Sequence, residues 1–293
     1  MGSDVTASAA LPVGRFAPSP TGPLHQGSVV AAVASFLDAR ARDGRWLLRI
    51  DDLDPPREVA GAADLIIETL LALGLEWDGE IVYQSRRGAA YAEALAVLDA
   101  AGATFPCACT RSMVGSGPYP GTCREGLPPG RRARSLRVRV DDRVIGFDDR
   151  VQGHYAQRLD TECGDFIVRR ADGLVAYHLA VVVDDAAAGV TDVVRGVDLI
   201  DSTPRQLHLQ RLLGLPHPRY AHIDVVRDAR GVKLSKQSGA PGVLPAQAAA
   251  ALHAALEFLG LAPPRAVAGA PVRELLEWAL PRWALAAHAA VDG

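Results

Sequence analysis

The stretch VGRFAPSPTGPLHQGSVVAAVASFLDARARDG, residues 13–44, decides the fold. VGRFA (13–17) reads as a short strand. PSPTGPLHQG is too rich in proline and glycine to be regular structure. SVVAAVASFLDARARDG then has helical periodicity and ends at Gly44. RWLLRID (45–51) follows as a second strand. Two further helices are stopped by Gly74 and Gly102. Strand, helix, strand, helix in this order predicts a parallel α/β sheet.

Working outward, residues 13–103 form the first half of an α/β domain, after a leader at 1–12 expected to be disordered. From 104 to 175 the character changes to short β-like pieces, SLRVRV and DFIVRR, among Pro, Gly and charge, which reads as an α+β insertion. The α/β pattern resumes over 176–240 with the helix DSTPRQLHLQRLLG (201–214) and the strand YAHIDVV. LVAYHLAVVV, bounded by Gly173 and by Asp184 with Asp185, reads as buried strand. Residues 241–293 carry the C-terminal helices.

The chain has 293 residues, 49% of them apolar, which is enough for a sizeable core. A net charge of −3 argues against nonspecific polyanion binding. A local basic surface remains open: PPGRRARSLRVRV (128–140) is the densest basic stretch, either a phosphate contact or a solvated face. No apolar run reaches the ~20 residues of a membrane span, and no secretory signal is visible. A cytoplasmic protein without membrane contact is expected, and a monomer is favoured.

In an open α/β sheet, ligands sit over the carboxyl ends of the strands. The Pro-Gly loop lies there. Gly22 and Gly27 let backbone approach a ligand. His25 stands at a helix N-terminus, where N–H groups and the dipole favour phosphate. A histidine there also serves as a plain helix cap.

A second signal is compositional. The chain has only two lysines, Lys233 and Lys236, in GVKLSKQSG, and its other 29 basic residues are arginine. Arginine is a planar fork for fixed partners, whereas lysine is a compact charge on a flexible stem that can follow a moving phosphate. Two lysines kept three apart between glycines suggest a mobile phosphate-binding loop; chance placement in a solvated loop is the alternative.

H-x-G after the first strand, with K-[LM]-S-K late in the α/β domain, resembles the class I aminoacyl-tRNA synthetases. His25, Gly27, Lys233, Ser235 and Lys236 match, while Ser28 and Gln237 depart from the namesake spellings. GRFAPSPTGPLHQGS, LLRIDDLDPPRE, LVAYHLAVVVDD, VVRGVDLIDSTPRQ and KLSKQ together resemble the glutamyl branch. The resemblance implies a Rossmann-like catalytic domain. It implies ATP with Mg²⁺, held by His25, Gly27, Ser235 and Lys236, with Lys233 assisting. It also implies L-glutamate held by Arg15, Phe16, Ala17, Pro18, Ser19, Asp51, Tyr177 and Arg195. Asp51 would hold the ammonium, and it stands where the branch has glutamate.

Cys107, Cys109 and Cys123 cluster in CACTRSMVGSGPYPGTC. With no export signal, three close thiols suggest zinc, which takes four ligands in structural sites. From spacing, His154, an acidic residue or water could complete the set, and plain buried thiols are the alternative. Cys163 stands alone and reads as packing. One subfamily of the glutamyl branch, which acts on queuosine in tRNA(Asp), carries C-x-C, Tyr, x3-C, so the resemblance makes Tyr119 the fourth ligand.

A conventional glutamyl enzyme would continue with an anticodon-binding domain, which is not expected here because the sequence stops at Gly293. The resemblance therefore implies glutamate activation without tRNA, then transfer to queuosine in the anticodon of tRNA(Asp). The alternatives are a truncated synthetase charging tRNA(Glu) and a catalytically silent paralogue that binds RNA or an amino acid.

Overall fold

The computed structural model describes residues 11–228, 230–234, 240–264, 267 and 269–285. Strand β1 (Val13–Phe16) leads through the Pro-Gly loop into helix α1 (Gln26–Arg40), and β2 (Arg45–Ile50) returns parallel to β1. Helix α2 (Ala62–Ala72) crosses to β3 (Val82–Tyr83), parallel to β2, and α3 (Gly88–Ala100) follows. These elements follow the predicted alternation. Helix α1 buries ten residues, Val29, Val30 and the run from Ala32 to Ala39, because it lies in the middle of the sheet's covering layer.

The inserted region opens with β4 (Thr104–Cys107) and the short α4 (Arg111–Val114). β5 (Ser135–Val138) pairs antiparallel with β4. A hairpin, β6 (Val144–Asp149) and β7 (Gly153–Arg158), and the short α5 (Leu159–Glu162) lead to β8 (Phe166–Arg169), which pairs antiparallel with β5. The hairpin does not stand free. The Arg150 N–H donates to the Tyr220 carbonyl at 3.0 Å, and Arg150 bridges to Asp38 on α1 at 2.8 Å and to Asp192 at 3.2 Å.

The α/β pattern then resumes. Helix α6 (Tyr177–Ala187) precedes β9 (Asp192–Gly196), α7 (Thr203–Leu213) and β10 (Arg219–Ile223), which is parallel to β9. The Thr191 N–H donates to the Val13 carbonyl at 2.9 Å, so β9 lies along β1. The parallel strands form two groups, β3-β2-β1 and β9-β10, which meet side by side at β1 and β9, and the crevice there is where the chain order reverses. Helices α8 (Ala248–Phe258) and α9 (Val272–Ala279) complete the described residues, and Leu252 and Leu256 of α8 pack into the core around Trp46, Ile66 and Leu70.

One prediction fails. LVAYHLAVVV is not strand: its greater part is the first two turns of α6. Residues Leu179 to Asp185 are all buried, so no polar face interrupts the run and no helical period shows. Asp184 and Asp185, read as the end of a strand, continue the helix into the core. They are tolerated there because each is paired. Asp184 accepts from Gln84, Arg87 and Tyr91 at 2.9, 3.0 and 2.7 Å, and Asp185 accepts from Arg15 and Arg49.

Candidate active site and candidate metal centre

Two adjoining hollows lie over the carboxyl ends of β1, β2 and β9. The outer one, about 430 Å³, is lined by Pro18, Ser19, His25, Gly27, Asp198 and Lys233 among others. The inner one, about 140 Å³, is lined by Arg15, Arg49, Asp51, Tyr177 and Arg195. Phe16, Ala17, Ala31 and Gly196 line both, so the two are one continuous site.

The outer cleft is built by local sequence. His25 is the N-cap of α1: its Nδ1 accepts from the Ser28 N–H at 3.2 Å. The capping role and a place in the cleft coexist. Gly27 lies in a tight spot, since a Cβ there would stand 3.1 Å from the His25 ring and press on it. Residues 226–228 and 232–234 run back against each other: Leu234 donates to the Val226 carbonyl at 2.8 Å and Asp228 to that of Val232 at 2.8 Å. Val243 then donates to the Leu24 carbonyl at 2.7 Å. Lys233 reaches the cleft, and its Nζ lies 2.5 Å from Asp198 Oδ2. Ser235, Lys236 and Gln237 lie outside the described residues.

The inner pocket is a buried charge lattice. Arg15 Nε donates to both oxygens of Asp185 at 3.3 Å, Arg49 Nη1 to Asp185 at 2.5 Å, and Arg49 Nε to Asp51 at 2.6 Å. All four side chains are less than a tenth exposed. Burial pushes the Asp51 carboxyl above its ordinary value, with Arg49 opposing. Burial also pushes Asp185 up, but Arg15 and Arg49 outweigh it and hold that carboxyl low. Arg195 is different. Its Nε and Nη2 are used by the protein, while Nη1 is buried without a hydrogen-bond partner. Among the described residues no carboxylate lies within ion-pair distance of it.

Arg15, Phe16, Ala17, Asp51, Tyr177 and Arg195 thus share the inner pocket, while Pro18 and Ser19 face the outer cleft. Arg49, Asp185 and His222 were not singled out from the sequence. Their partners lie 136 and 73 residues away, and no motif spacing carries that signal.

The three cysteines come together in the insertion. The sulfurs of Cys107, Cys109 and Cys123 lie within 4.8 Å of one another, and Cys109 and Cys123 are 3.7 Å apart. The Tyr119 hydroxyl is 3.5 Å from Cys107 Sγ and 3.8 Å from Cys109 Sγ. A tetrahedral zinc with ordinary bond lengths needs S···S edges of about 3.8 Å and S···O edges of about 3.5 Å. The Cys109–Cys123, Cys107–Tyr119 and Cys109–Tyr119 edges, at 3.7, 3.5 and 3.8 Å, are close to that figure. Burial raises the Cys107 thiol, but hydrogen bonding to Tyr119, the Cys109 backbone and Arg137 outweighs it and brings the thiol down to about 7. Arg137, from the basic stretch, faces inward: Nε donates to Cys107 Sγ at 3.2 Å, and the guanidinium lies 3.8 Å over the Tyr119 ring. His154 is elsewhere, on β7 beside Asp148.

The family model for tRNA synthetases class I (E and Q), catalytic domain, matches residues 13–115 and 126–247. Residues 116–125, with Tyr119 and Cys123, fall between the matched segments. The chain is 58% identical over 281 residues to the glutamyl-Q tRNA(Asp) synthetase of Aromatoleum aromaticum, covering 93% of this chain and 89% of that protein. It is 56% identical over 279 residues to the protein of the same name from Thiobacillus denitrificans, covering 92% and 93%. In fold it is similar to the crystal structure of a glutamate tRNA ligase from Elizabethkingia meningosepticum, with a TM-score of 0.78 at 24% identity. That match covers 97% of this chain and 66% of the other.

Proposed function

The chain belongs to the class I tRNA synthetases of the glutamyl and glutaminyl type, and we propose that it activates L-glutamate with ATP in the absence of tRNA and transfers it to queuosine in the anticodon of tRNA(Asp). The observation that carries the first step is Arg195. Arg195 lines the inner pocket, its Nη1 is buried without a hydrogen-bond partner, and the other charges there are already balanced, two arginines against two aspartates. An anionic side chain is what such a pocket lacks. Relatives named for this activity, alike over nine-tenths of the chain, support the acceptor.

Glutamate in the inner pocket would present its α-carboxylate to the α-phosphate of ATP in the outer cleft. A carboxylate oxygen forms a bond to phosphorus, and the bond to the bridging oxygen breaks to release pyrophosphate. No enzyme nucleophile is needed. The residues act by positioning and by stabilising charge on the phosphates. His25, at the helix N-terminus, and Lys233 would contact the triphosphate. Lys236 would be the main cation, following the phosphates as they separate. Mg²⁺ would arrive with ATP and neutralise phosphate charge. The ammonium would meet Asp51, whose carboxylate also keeps Arg49 in place.

Cys107, Cys109, Tyr119 and Cys123 would hold one structural zinc, tying β4 to the loop that precedes β5. Arg137 compensates the thiolate charge. ATP, glutamate and tRNA(Asp) meet in the cytoplasm, where the protein would act. No helix among the described residues is long and apolar enough to cross a membrane. The test is transfer of labelled glutamate, with ATP and Mg²⁺, to tRNA pools with and without queuosine. Label confined to the queuosine pool supports the reading, and label on both pools refutes it.

A further inference from the structure

Arg195 stands at the end of a buried chain that begins in the inserted hairpin. Asp149, the last residue of β6, accepts through Oδ1 from the backbone N–H groups of Val151, Gln152 and His222 at 2.9, 2.9 and 3.0 Å. Its Oδ2 lies 2.6 Å from His222 Nδ1. His222 Nε2 lies 3.0 Å from Arg195 Nε, and Arg195 Nη2 donates to Thr203 Oγ1 at 2.8 Å. The His222 and Asp149 side chains are fully buried and Arg195 is 6% exposed.

The protonation states follow from the contacts. Asp149 is surrounded by donors and is ionised, so it only accepts. His222 Nδ1 therefore donates to it. Were Nε2 also protonated, two donors and two positive charges would meet head-on at 3.0 Å between buried side chains. His222 is therefore neutral, and its Nε2 lone pair accepts from Arg195. The Tyr220 ring lies parallel to the imidazole, 10° off at 6.2 Å, and the Arg195 guanidinium lies 5.5 Å over the same ring.

We propose that Asp149 and His222 are positioning residues that aim Arg195 at the ligand's side-chain carboxylate while leaving its positive charge uncancelled. This rests on the reading of the inner pocket as the glutamate site. Arg15 and Arg49 are held by carboxylates and are neutralised by them. Arg195 is held by a neutral ring, a hydroxyl and the Leu199 carbonyl, so the ligand must supply the counter-charge. The arrangement selects glutamate over glutamine and makes the inserted hairpin part of the specificity device.

The test uses the full chain in glutamate-dependent ATP–pyrophosphate exchange, with glutamate affinity measured separately by calorimetry. Asp149→Asn and His222→Ala should each raise the KM for glutamate about tenfold or more, the loss of one charge-assisted contact, with the KM for ATP unchanged. His222→Gln, which keeps an acceptor near the Nε2 position, should recover most of the loss. His222→Glu hands Arg195 a carboxylate and should lower the preference for glutamate over glutamine. A parallel rise in the KM values for glutamate and ATP would overturn the proposal, as would His222→Gln behaving no better than His222→Ala. Wild-type exchange that does not depend on glutamate would instead remove the glutamate reading on which it rests.

Discussion

Replacing Asp185 by Asn should destabilise the protein more than its conservative geometry suggests. The wild-type carboxylate takes Arg15 Nε at 3.3 Å and Arg49 Nη1 at 2.5 Å, with all side chains about 5% exposed. The amide keeps one acceptor oxygen but turns an N–H₂ towards a guanidinium and removes the charge. Two buried arginines then share only Asp51. Breaking a buried pair by removing one partner costs about 3–5 kcal/mol, and the retained acceptor favours the lower end. For a chain of this size that is a fall in melting temperature on the order of 6–12 °C. Thermal unfolding at neutral pH measures it, with Asp160→Asn, an exposed partner of Arg158, as the control that should not move. The pH dependence has a definite sign. Arg15 and Arg49 outweigh burial and hold Asp185 below its ordinary value, so its contribution is complete above about pH 4 and is lost as pH falls through the folded value. The gap between wild type and variant should therefore be constant near neutrality and close in acid. An unchanged melting temperature, or a gap that widens in acid, would refute the reasoning.

Three further outcomes are expected. Arg195→Ala should raise the KM for glutamate by about tenfold or more and leave that for ATP nearly unchanged, read by pyrophosphate exchange; equal losses would count against the assignment. Lys236→Arg keeps the charge but should lose activity in the same assay, because a rigid fork cannot follow the phosphates; full retention would refute the explanation of the two lysines. Elemental analysis should find one zinc per chain in wild type and less in Cys123→Ser, with melting temperature falling in parallel; no zinc after anaerobic purification would remove the site.

Much of the fold was legible because local rules agreed. Gly and Pro marked the loop after β1, and the helices ended close to their glycines. Helix α6 was misread because tertiary burial erased the polarity pattern on which the period depends. The site was legible where chemistry was linear in sequence, as at His25 and Gly27, or carried by composition, as at the lysines. Asp185, Arg49 and His222 act through contacts made only when distant strands and helices come together, so no spacing foretold them. Within the basic stretch at 128–140, Arg131, Arg132 and Arg134 are exposed, whereas Arg137 is 7% exposed and points at Cys107, a difference that charge density along the sequence does not reveal.

The measurement that bears most directly on the account is transfer of labelled glutamate, with ATP and Mg²⁺, to two tRNA pools that differ only in queuosine. Label on the queuosine pool alone is the predicted result. Equal labelling of both pools would mean a synthetase acting at the 3′ end and would contradict the account.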